Sequence, residues 1–68
     1  MKYAVVIEKA ENNYSAFVPD LPGCVATGNT QDEALREIGE AIAFHLEGMR
    51  LAGLPIPQPS VRTDNIEV

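Results

Sequence analysis

Carboxylates are the side chains whose number and spacing here could do chemistry. Ten aspartates and glutamates face five lysines and arginines, for a net charge of -5. Glu33, Glu37 and Glu40 follow one another at four- and three-residue intervals, which on a helix makes a short negative ridge. Asp20 adds a carboxylate inside the turn-forming run Pro19-Asp20-Leu21-Pro22-Gly23-Cys24. Such a set suits non-covalent docking of a basic surface, which complementary fields steer into place. The plainer reading, a hydrated outer face that keeps a small chain in solution, stays open beside it. Phe44 and Leu51 stand seven apart on the same helix, more than roughly 120° from the centre of its apolar stripe at about 100° per residue. They suggest an apolar contact next to the charges, or a surface that the proline connector covers.

The remaining chemistry-bearing residues point elsewhere. His45 is the only histidine, and it borders the apolar helix stripe without a second imidazole or a cysteine pair at ligand spacing. Cys24 has no adjacent base or helix N-terminus to lower its pKa, so a buried structural thiol is expected. Ser15 and Ser60 lack the neighbours that activate a nucleophile, and the five glycines match no phosphate-binding loop. No catalytic residue, metal site or cofactor is therefore expected, and the chain reads as a non-enzyme. The negative balance also argues against direct nucleic-acid binding, which needs cations to exchange for counterions.

Three strands and a helix must position these groups. Residues 2 to 9 alternate as a strand, with Tyr3, Val5 and Ile7 on one face. After a turn at Ala10-Glu11-Asn12-Asn13, Tyr14 to Val18 returns as its hairpin partner, with Ser15 and Phe17 facing away from Tyr14, Ala16 and Val18. The proline corner leads to a short third strand, Cys24 to Thr27. Thr30 and Glu33 form a capping-box signature, and Leu35, Ile38, Ile42, Leu46 and Met49 recur as a core-facing stripe. Gly53 and Pro55 then stop a helix expected over about Gln31 to Ala52.

The predicted fold is therefore α+β, two-layered, β-β-β-α-(β), with an antiparallel meander packed on one long helix. It forms a single domain over residues 1–68: a core to residue 54, a proline-rich connector at 55–60, and a segment 61–68 that stays open between a short fourth strand and a tail. One helix covers one sheet face, so the other should seek a partner or a second copy, a dimer or tetramer. At this length only roughly 60% of the unfolded chain's surface is buried, which makes such company useful. The lone cysteine and the absence of a signal-like or membrane-length apolar run place the expectation in the cytoplasm.

The ordered set Tyr3-Ala4-Val5-Val6-Ile7-Glu8, Tyr14-Ser15-Ala16-Phe17-Val18-Pro19-Asp20-Leu21-Pro22-Gly23-Cys24, Gly28-Asn29-Thr30, Glu33-Ala34, Glu40-Ala41-Ile42 and Gly53-Leu54-Pro55-Ile56-Pro57 resembles the HicB-like antitoxin family. The resemblance covers about residues 3 to 59 and is similar to the short, stand-alone form of the N-terminal domain. It implies a partial ribonuclease-H-like layer without the metal cluster that cleavage requires. It also implies a partner: HicA, a small basic toxin that cleaves messenger RNA, whose RNA-binding surface the antitoxin occludes. On that implication Asp20, Glu33, Glu37 and Glu40 would supply charge, and Phe44 and Leu51 apolar contact. Larger members add a C-terminal DNA-binding domain; residues 1–68 carry no counterpart, so DNA-binding autoregulation is not expected to transfer. The alternative is a self-associating module without toxin-neutralising activity.

Overall fold

The computed structural model describes residues 1–68. Strands β1 (Val6–Lys9), β2 (Tyr14–Phe17) and β3 (Val25–Gly28) form an antiparallel sheet in the order β1-β2-β3, followed by helix α1 (Gln31–Leu51). This is the α+β meander-on-helix plan that the alternation and the cap signals dictate. The register pairs Ile7 with Ala16 and Ala16 with Ala26, so one face presents Ile7, Tyr14, Ala16 and Ala26 to α1. Val6, Ser15, Phe17, Val25 and Thr27 occupy the other face by the period-two rule.

The core is small: Ala16, Val18, Leu21, Cys24, Ala34 and Ile38. Half of it comes from the proline corner. There Leu21 N–H donates to Val18 O at 3.0 Å and Cys24 N–H to Leu21 O at 3.0 Å, closing two successive turns. Gly23 supplies the positive φ (83°) of the second. The corner thereby tucks Leu21 under the sheet as a plug, a role its polar and proline neighbours conceal in sequence.

Strand β1 is shorter than the alternation predicts. In this register Val5 and Ala4 would lie opposite Val18 and Pro19. The backbone groups of Val18 are turned to the β3 side, where its N–H donates to Cys24 O, and Pro19, which would face Ala4, has no N–H. Residues 2–5 therefore run on without a ladder. Tyr3 and Val5 pack against the core instead, and Tyr3 Oη donates to Pro57 O at 2.5 Å.

On α1, Thr30 Oγ1 accepts from Glu33 N–H at 3.0 Å as the cap residues imply. The buried positions are Ala34 and Ile38, whereas Leu35, expected in the core stripe, is 51% exposed. Gly28 explains the roll. A Cβ there would meet Ala34 N, and would lie 2.8 Å from the Glu33 carbonyl carbon, so β3 and α1 touch backbone to backbone at the Ala34 side. Leu35 is turned outward by that contact.

The connector is tied down at its end, where Ser60 bonds Asp20. Beyond it, residues 61–68 form no strand and stay exposed. Asp64 takes local bonds from Asn65 N–H and Arg62, so this stretch spends its polar groups on itself rather than on a sheet edge.

Candidate partner-binding surface

Helix α1 has 21 residues and is about 31 Å long, against about 13 Å for each four-residue strand. Leu46 is the last residue of α1 packed against the core, and Phe44 and Leu51 beside and beyond it are exposed. At about 100° per residue, Glu33, Glu37, Glu40, Phe44 and Leu51 fall within a sector of roughly 60° along one flank. The structure thus gathers five of the six sequence-selected residues into one stripe, acidic in its first half and apolar in its second.

The electrostatics of that stripe are open. The Glu33 carboxylate makes no return bond to Thr30, so only half of the capping box forms and the charge is left to solvent. Glu40 is exposed and has no ion pair, while Glu37 meets only its neighbour Arg36 at 3.3 Å. Further down, Glu47 is held by Arg50 at 2.6 Å, which draws the carboxyl below and the guanidinium above their ordinary values. Phe44 and Leu51 are 84% and 73% exposed. The connector does not cover them.

Asp20 lies apart from this stripe, in the β2–β3 corner. Its two carboxylate oxygens accept from Ser60 Oγ (2.6 Å), Ser60 N–H (3.0 Å) and Val61 N–H (3.2 Å). The bond from the Ser60 side chain, followed by those from the backbone, lowers its pKa. In this structure Asp20 is a tether for the end of the connector. Three of the carboxylate's roughly four acceptor sites are engaged in this way, and its charge is kept.

His45 is half-buried along α1, and Cys24 is buried in the core, where desolvation raises its thiol pKa. Neither stands in a cluster of three or more His, Cys, Asp or Glu side chains. No helix is long and apolar enough to cross a membrane.

A second surface lies behind the sheet. Ser15, Phe17, Val25 and Thr27, with the strand segments at Ala16 and Ala26 between them, line an open groove on the face that α1 leaves bare. Phe17 and Val25 are cross-strand partners there, 37% and 65% exposed. The alternation of β2 already turns Phe17 away from Ala16 and Val18; what sequence could not supply is the register that sets Val25 beside it.

Residues 3–67 match the model of a family described as HicB-like antitoxin of bacterial toxin–antitoxin systems. Among similar proteins, a UPF0150 protein of Thermoplasma acidophilum is 44% identical over 59 residues, covering 85% of this chain and 86% of that one. A UPF0150 protein of Helicobacter pylori is 61% identical over 41 residues, 60% of this chain and 57% of its own length. An uncharacterized 14.9 kDa protein of Haemophilus phage HP1 is 49% identical over 49 residues, 72% of this chain but only 37% of the phage protein. Among solved structures, a chain of a HicA3 and HicB3 toxin–antitoxin complex superimposes with a TM-score of 0.75 at 32% identity, over 88% of this chain and 70% of that chain.

Proposed function

The chain belongs to the HicB-like antitoxin family, and on that premise we propose that it is a non-catalytic antitoxin that neutralises a small basic, mRNA-cleaving HicA-type toxin by covering its RNA-binding surface. The observation that carries this reading is the flank of α1. Glu33, Glu37 and Glu40 present uncompensated or weakly compensated charge, and Phe44 and Leu51 continue the same stripe as exposed apolar anchors. A toxin that grips RNA must carry lysines and arginines where the phosphates bind. Those cations face a choice between RNA and the carboxylate ridge. Occlusion follows from occupancy, with no chemistry asked of the antitoxin.

Co-expression with a HicA-type toxin should yield a complex that holds at about 0.1 M salt and dissociates above roughly 0.5 M, since exposed charges steer the encounter. Glu37→Lys with Glu40→Lys should weaken it about tenfold at low salt, mostly through slower association. A complex indifferent to both salt and charge reversal would rule out this flank as the electrostatic surface.

The bare sheet face favours a second reading, self-association. Phe17 and Val25 form an apolar pair that the chain's own atoms leave open, and a second copy could cover it. The two readings use opposite sides of the molecule, so an antitoxin of this shape can do both.

A further inference from the structure

Two glycines sit inside α1, Gly39 and Gly48. Glycine in a helix interior lowers the folding equilibrium about fivefold relative to alanine. Neither is required by the chain's own packing, because a Cβ built on either meets nothing within 4 Å. They differ in what surrounds them. Nine residues apart, at about 100° per residue, they face roughly opposite directions. Gly48 falls about 20° beyond the Glu37 edge of the acidic–apolar flank, four residues after Phe44 and three before Leu51, both exposed. Gly39 faces the other way.

A glycine between two projecting apolar side chains makes a notch in the helix surface. It is the one point along that flank where another backbone can come within close contact distance of α1, with Phe44 and Leu51 closing on either side. We propose that Phe44, Gly48 and Leu51 form a seat for an α-helix of the basic toxin, which crosses α1 at Gly48. Glu33, Glu37 and Glu40 then lie upstream on the same flank to meet that helix's cationic surroundings. This rests on the antitoxin reading above and adds to it the point of closest approach.

Charge selects the occupant. A second copy crossing at Gly48 would bring two molecules of net charge -5 together along their helices. Glu33 and Glu40 form no ion pair within their own chain that would offset that approach. A basic partner supplies the missing cations and fills the notch at once.

The two glycines provide their own control. Gly39→Ala and Gly48→Ala should each raise the thermal midpoint by several degrees, as expected for a domain of this size. Affinity is measured by calorimetry between the full chain and a catalytically disabled HicA-type toxin. Gly48→Ala should weaken binding tenfold or more, and Gly48→Leu further still, while Gly39→Ala stays within twofold of the parent chain. Parent-level affinity in Gly48→Ala overturns the seat and leaves the antitoxin reading standing. A parent chain that binds no toxin sinks that reading itself. Loss of a self-associated species in Gly48→Ala, seen by light scattering with toxin affinity unchanged, gives the notch to a second copy and likewise overturns the proposal.

Discussion

Asp20, expected as a charged contact for a partner, also makes a contact within its own chain. Its position in a proline-rich corner marks it as exposed and charged, and the structure finds it binding Ser60 and Val61 across forty residues of sequence. No local pattern announces a contact of that range. The tether has a pH signature. Because its bonds depress the folded-state pKa, the contribution is complete above the ordinary aspartate value of 3.8 and is lost as pH falls through the lowered one. Protection of the Ser60 and Val61 amides, taken relative to their intrinsic exchange rates at each pH, should therefore fall on acidification below that value. In Asp20→Asn the protection of both amides should be low from the start and should not change with acid over the same range. Protection that survives both changes would show that the connector is held by other contacts. Cys24 needed no such surprise: a thiol with no activating neighbour in sequence is buried in space, its pKa raised by desolvation.

Among elements, the helix was the most legible and the first strand the least. Cap chemistry is local, so Thr30 and Gly53 bracket α1 to within a residue of the Gln31 to Ala52 expectation. A strand's length, by contrast, depends on what its neighbour has to offer. Residues 2–5 alternate well enough, but the residue that would face them in the ladder is Pro19, which has no N–H to give. The apolar stripe of α1 was found and its rotation was not. Periodicity marks a face, while the depth of Gly28 against Ala34 decides which edge of that face goes inward. This contact makes a sharp expectation at the level of β3 and α1. Gly28→Ala should destabilise the fold by about 1–3 kcal/mol in urea titration, because the opposing atoms are backbone and cannot swing aside. An unchanged midpoint would mean that strand and helix separate more easily than their packing implies.

At the scale of the whole molecule, one long helix on a short sheet leaves two unlike surfaces. The α1 flank is acidic and apolar in sequence along its length, whereas the back of the sheet offers Phe17 and Val25 in a shallow groove. The two-layer plan, and with it the existence of a bare face, follows from counting three strands and one helix. Which residues define each surface required the register and the roll of the helix. If the bare face pairs with a second copy, the thermal midpoint should rise with protein concentration, and light scattering should report more than one chain. Phe17→Ser with Val25→Ser should abolish both effects while α1 still binds toxin. A concentration-independent midpoint with a single-chain mass would remove self-association and leave the flank as the working surface.

The double anchorage of the connector, Tyr3 to Pro57 and Asp20 to Ser60, also sets how the molecule would answer a mechanical load. Tension applied at Val68 reaches the carboxylate clasp first, then the tyrosine, and only afterwards α1 and the sheet. The belt would peel in two small yields before the body gave way, like a strap releasing its buckles in order.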